Sequence, residues 1–301
     1  MASKTDLLLI FTMCSIWGGN YFAIKSSLDY VDPVTLSLLR AFFGGLAVLA
    51  FSGSGVKSLR LSDLGWLSVI GLFNVSFFLI ALNQGLTTVG SSVAATLVYT
   101  QPVLVVALSP LVGEGLTRFK VAGVAAAFFG VVVVFFPDLS TSKLALGDLF
   151  ELAASFSWAV SILLFKKWRT QLNSYVVTGV QNLMGALFIA PFLALGGVFV
   201  DPAPAFWSYL AYNVLLASAL AYLIYFRVLS RMSASEFSSY LFMVPVLTTV
   251  FGSILGLKIP PWNELLGTAL VAAGILTVNA STLLFRTRKV AVNVQPGEGT
   301  S

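Results

Sequence analysis

The sequence predicts an all-α integral membrane protein, with ten transmembrane helices arranged as two inverted five-helix repeats. Three observations carry this. The 301 residues are 58% hydrophobic and only 10% charged, with a mean hydropathy of +0.94. A soluble domain is about a quarter charged, so ionised groups this sparse leave lipid as the main solvent. Basic residues alternate from side to side of successive apolar runs, and the sequence matches itself at a nearly constant offset.

A helix needs about 20 predominantly apolar residues to cross the hydrocarbon core. Ten such runs lie at 5–26, 33–52, 64–85, 91–112, 118–136, 147–166, 174–196, 205–228, 234–257 and 263–285. Turn residues punctuate them: Asp32-Pro33 opens the second run, Ser52-Gly53-Ser54-Gly55 follows it, and Pro260-Pro261 precedes the tenth. The first run is too long for a signal-peptide core and lacks a small-residue cleavage site, so it reads as a retained span. The polar stretch 286–301 reads as a disordered cytoplasmic tail.

Loop charges test this parsing. The side shared with the N-terminus carries Lys4, Lys57, Arg60, Arg118, Lys120, Lys166, Lys167, Arg169, Arg227, Arg231, Arg286, Arg288 and Lys289. The opposite side carries Lys25, Lys143 and Lys258, and Arg40 falls inside the second run. Thirteen against three is a strong positive-inside bias that a miscounted helix would scramble, and it predicts cytoplasmic termini.

Composition also excludes chemistry. The chain has no histidine, and its one cysteine, Cys14, lies within the first run. Ser-His, Cys-His and His-metal sites are ruled out, so the expectation is no metal, no cofactor and no enzyme. Basic residues confined to short loops do not form a nucleic-acid patch. The expected partners are the lipid bilayer and a small-molecule substrate, and a monomer of ten helices suffices.

An offset of 141 residues lays the first two spans on the sixth and seventh: Trp17 meets Trp158, Lys25 meets Lys166, and Gly44 meets Gly185. An offset of 143 then equates Pro102-Val103-Leu104 with Pro245-Val246-Leu247 and Gly113 with Gly256. One further residue aligns Gly123 with Gly267 and Gly130 with Gly274. The copies are 5–136 and 147–285. Five is an odd number of spans, so the second copy enters the membrane from the opposite side. Inverted repeats of this kind recur in secondary transporters, with substrate bound near the midplane between the copies.

The stretch Trp17-Gly18-Gly19-Asn20 after an apolar start, Pro33 followed by Arg40, and Pro102 followed by Gly113-Glu114 resemble the EamA-type drug/metabolite transporter superfamily, in two copies over about residues 5–285. The resemblance implies a ten-helix carrier with a central cavity, usually exporting amino acids or other metabolites by alternating access from a bacterial inner membrane. The second copy departs from the pattern, with Gln181 opposite Arg40 and Leu257 opposite Glu114.

Candidate residues follow from depth and polarity. Pro102 and Pro245 leave the carbonyls of Val98 and Leu241 without their usual partners, which predicts paired kinks that either gate the path or only shape packing. Beside them lie Tyr99 and Gln101 in one copy and Tyr240 and Met243 in the other. Trp17 and Trp158 sit deep in their spans, away from the headgroup level, as cavity walls or as fillers of helix contacts. Asn20 shares a face with Trp17. Asn74, Tyr222 and, more weakly, Phe77 complete the substrate-binding set; for Asn74 and Gln101 the competing reading is an interhelical hydrogen bond. Arg40 reads as a structural charge, as does Glu114, which with Glu236 is expected to pair with Arg118 or Arg231. Glu151 is the possible coupling group, although its shallow depth also permits simple hydration. The leading expectation is export of a small, partly apolar metabolite. Uptake or exchange of a sugar-phosphate or nucleotide-sugar, and a non-transporting membrane receptor, are the alternatives.

Overall fold

The structure, a computed structural model, describes residues 3–141, 146–168 and 170–256, together with 262–263, 265–267, 269–274 and 276–278. The tail 286–301, Lys143, Lys258 and Pro260-Pro261 lie outside the described residues. Each apolar run contains a helix: α1 Lys4–Ser27, α2 Pro33–Leu49, α3 Leu61–Gly85, α4 in the two pieces Ser91–Val98 and Gln101–Leu108, and α5 Arg118–Thr141. The second half holds α6 Leu146–Trp168, α7 Ser174–Ile189, α8 Pro204–Leu229, α9 in the pieces Ala234–Leu241 and Met243–Leu255, and α10 over Leu265–Val278, described in part. Among the described residues seven of these rods are long and apolar enough to cross a membrane. Of the others, α2 has 17 residues, α5 has 24, and α10 is a shorter apolar helix.

Contacts between the halves carry a two-fold signature. The sequence offsets equate Gly44 with Gly185 and Val75 with Ser218. In the fold, Gly44 of α2 abuts Ser218 of α8, and Gly185 of α7 abuts Val75 of α3. Likewise Gly123 of α5 abuts Gly274 of α10, and Gly130 abuts Gly267. Each contact becomes its partner when the copies are exchanged, as a two-fold relation requires. Glycine is needed where backbones approach this closely: a Cβ on Gly123 would stand 2.7 Å from the carbonyl oxygen of Gly274.

Two features interrupt the helices, each in both copies. The pieces of α4 part at Tyr99-Thr100 and those of α9 at Phe242, just ahead of Pro102 and Pro245. The second feature carries no Pro or Gly signal. α3 widens into a π-turn over Leu72–Phe77 and α8 over Tyr212–Leu220, and the 143-residue offset lays the first inside the second.

The end of the bundle that carries Lys25 is tied by Asp32. Its Oδ1 accepts from the Val34 and Thr35 amides at 3.1 and 2.9 Å, capping α2, while Oδ2 accepts from the Phe199 amide at 3.0 Å in the α7–α8 loop. Asp32→Ala should therefore lower stability by about 1–2 kcal/mol, read as an earlier thermal transition in detergent, and Asp32→Asn by less.

A candidate substrate cavity between the halves

A narrow cavity lies where the halves meet. α1 contributes Trp17, Asn20 and Tyr21 to its wall, α2 Arg40, α3 Phe78 and Leu82, α4 Tyr99, α6 Trp158, and α8 Tyr222. The two repeat-mate tryptophans meet edge to face, with ring centroids 5.4 Å apart at 85°. Trp17 also packs on Tyr222 at 5.6 Å, and Trp158 on Phe78 at 5.3 Å and on Tyr99 at 5.4 Å. Only about 20 Å³ of the space can take the centre of a water molecule, room for about one water. A metabolite fits only after these walls part, so this is a closed conformation.

The π-turns supply the anchors for the aromatic wall. Trp17 Nε1 donates to the Ala217 carbonyl at 3.2 Å, and the Tyr222 hydroxyl donates to the Asn74 carbonyl at 3.3 Å. Ala217 and Asn74 are repeat mates, one in each π-turn. A π-turn shifts bonding from i+4 to i+5, and so opens room for a side-chain donor at a mid-helix carbonyl. Trp158 Nε1 reaches the Tyr225 hydroxyl at 3.3 Å.

The polar part of the wall is unsaturated. Arg40 is 2% exposed; its Nη1 donates to Asn83 Oδ1 at 3.2 Å, and Asn83 is itself held by Ser37 at 2.8 Å. The Nε of Arg40 and the Oδ1 of Asn20 have no partner. Among the described residues no carboxylate lies within ion-pair distance of Arg40; the ion pairs present are Lys120–Glu114 and Arg231–Asp6. A buried, unmatched guanidinium is costly, and the wall thus offers a site complementary to an anion.

Of the residues expected from sequence to bind substrate, Trp17, Asn20, Tyr99, Trp158 and Tyr222 line this cavity. The others lie elsewhere. Asn74 donates to Gln181 Oε1 at 3.1 Å and accepts from the Ser161 hydroxyl at 3.0 Å, joining α3 to α7 and α6. Gln101 is fully buried, with Nε2 on the Ser238 hydroxyl at 3.3 Å between α4 and α9. Tyr240 and Met243 are half-buried against the core. Phe77 points outward, 43% exposed, and its neighbour Phe78 takes the place in the wall. Arg40, expected as a structural charge, is part of the wall as well as a partner of Asn83. Tyr21, Phe78 and Leu82 were not singled out from the sequence; Tyr21 lies one helical turn beyond Trp17, a spacing that points to it.

The charge pairs at the end of the bundle opposite Lys25 differ from expectation. Glu114 caps the start of α9, accepting from the Ala234 amide, from the Ser235 amide at 3.2 Å and from the Ser235 hydroxyl at 2.7 Å, and it pairs with Lys120 at 3.8 Å. Arg231 instead pairs with Asp6 at 2.9 Å, and Arg118 lies over the Phe119 ring. A helix N-terminus outcompetes a flexible arginine here because its amides are fixed and otherwise unsatisfied.

Comparison with known proteins agrees with this architecture. A crystal structure superposes with a TM-score of 0.79 at 23% identity, covering 95% of this chain and 99% of the other, which shows a shared fold. The uncharacterized transporter YvbV of Bacillus subtilis is 26% identical, covering 97% of this chain and 96% of its own length. The uncharacterized inner membrane transporter YedA of Escherichia coli K12 is 26% identical over 95% of this chain and 94% of its own. A probable terminal-alkyne amino-acid exporter of Streptantibioticus cattleyicolor is 27% identical over 93% and 95%. The profile of the EamA-like transporter family fits twice, over residues 4–136 and 145–280, one copy for each half of the bundle. With both halves accounted for in this way, the chain is a multi-pass membrane transporter belonging to the EamA-like transporter family.

Proposed function

We propose that this transporter exports small metabolites that carry a carboxylate beside an apolar or aromatic group, amino acids above all, by alternating access through the cavity between its halves. The observation that supports this most is Arg40: a buried guanidinium without a carboxylate partner, set in a wall of Trp17, Tyr21, Tyr99, Trp158 and Tyr222. Arginine binds carboxylates through paired hydrogen bonds, and aromatic faces accept both apolar side chains and an ammonium group. The amino-acid exporter among the relatives favours the same class. A sugar-phosphate or nucleotide-sugar is a poorer fit, because a dianion calls for several cations and Arg40 is the one in this wall. The positive-inside bias favours cytoplasmic termini in a bacterial inner membrane.

The test is counterflow of labelled amino acids into proteoliposomes preloaded with unlabelled ones. Transient accumulation of apolar and aromatic amino acids is expected. Absence of flux for every solute, with ligand binding intact, supports the receptor alternative and sinks the carrier reading. Within that assay Trp158→Ala should raise the half-saturating concentration about tenfold or more, since it removes the ring shared by Trp17, Phe78 and Tyr99. Gln101→Ala, away from the wall, should change it far less.

A further inference from the structure

Glu151 sits in the second turn of α6 and is fully buried, yet neither of its carboxyl oxygens has a hydrogen-bond partner. Its carboxyl group packs directly on Gly85, the last residue of α3, so closely that a Cβ at position 85 would overlap it. The charged and titratable groups facing it are Asp148 one turn earlier on α6, and Lys25 and Tyr21 on α1. Lys25 does not neutralise it at ion-pair distance. The Lys25 ammonium instead caps the end of α3, donating to the carbonyls of Leu86, Thr87 and Val89. A cation suits a helix C-terminus, and that same terminus repels a carboxylate. Burying an ionised carboxylate with no donor costs several kcal/mol, whereas the neutral acid is buried at far lower cost.

We propose that Glu151 is a proton-binding site, and that taking up a proton there accompanies closure of the Lys25 end of the transporter. In this closed packing the carboxyl group is the neutral acid. The proton enters from solvent at the Lys25 end while that end is open. It leaves to the opposite side when water entering the cavity from there reaches the group past Tyr21, which both lines the cavity and faces Glu151. One proton then crosses with each substrate cycle, so that a pH difference drives net flux. This inference rests on the carrier reading above.

The experiment uses the full chain in proteoliposomes and compares counterflow with accumulation driven by a pH difference. For wild type, a one-to-one proton exchange gives about tenfold accumulation per pH unit. Glu151→Gln mimics the neutral acid: counterflow should persist while pH-driven accumulation disappears. Glu151→Asp, which moves the carboxyl group by one methylene, should retain coupling with a displaced pH midpoint, and it serves if the Gln variant does not fold. Coupling that persists in Glu151→Gln, or a midpoint unmoved in Glu151→Asp, overturns the proposal and leaves the carrier reading intact. Wild type without counterflow overturns both.

Discussion

Arg40→Met should cut transport of carboxylate-bearing solutes by about 10- to 100-fold while leaving the folded protein at least as stable. A hydrogen bond to a charged group contributes about 1.5–3 kcal/mol, and a wall that offers one guanidinium has no substitute for it. The stability half of the statement separates binding from anchoring. Methionine fills similar volume without a charge, and removing a buried charge that has no carboxylate partner saves its desolvation cost, which offsets the loss of the bond to Asn83. An anchor would behave oppositely: losing the Arg40–Asn83 bond would loosen α2 from α3, lower the melting temperature and weaken all ligands alike. The discriminating measurement is competition by an amino acid against the matching decarboxylated amine. Wild type should prefer the acid, and Arg40→Met should lose that preference. An unchanged preference would exclude Arg40 from carboxylate recognition.

Much of this architecture is legible in the chain because lipid imposes simple rules. Each apolar run must satisfy its own backbone, so each contains a helix, and the two prolines mark the breaks in α4 and α9. The repeat offsets also anticipate which tryptophans meet. Rotation of a helix about its axis is harder to read, because a span apolar all round has no pattern to show which face looks inward. The third helix makes the point. Its π-turn over Leu72–Phe77 inserts an extra residue per turn, which rotates everything beyond it by about 100° relative to a regular helix. Phe78 therefore faces the cavity while Phe77 faces outward. That π-turn has no sequence marker; packing against α7 and α8 and the Tyr222 bond to Asn74 accompany it. Asn74 and Gln101 illustrate the converse limit. A buried amide announces that it needs partners, but whether those are substrate or neighbouring helices depends on distances only the fold supplies.

Gly71→Val should be strongly damaging although it lies outside the cavity. Gly71 stands where α3 crosses α7, and a Cβ there would sit 2.5 Å from the Gln181 carbonyl oxygen and 3.1 Å from the Gly185 amide nitrogen. Both obstacles are backbone, so no rotamer change relieves the clash, and the helices must separate. Overpacking of this kind costs about 1–3 kcal/mol even where side chains can adjust, so a value at or above the top of that range is expected. The consequences reach beyond stability. Separating α3 from α7 breaks the Asn74–Gln181 bond, and the Asn74 carbonyl is what holds Tyr222 in the cavity wall. The control lies on the same helix: a Cβ on Gly65 meets nothing within 4 Å, so Gly65→Val should melt within a degree or two of wild type and transport normally. Thermal unfolding followed by size-exclusion chromatography measures both. Equal behaviour of the two variants would mean that the close approach of α3 and α7, and with it the contact between the halves, does not hold in the membrane.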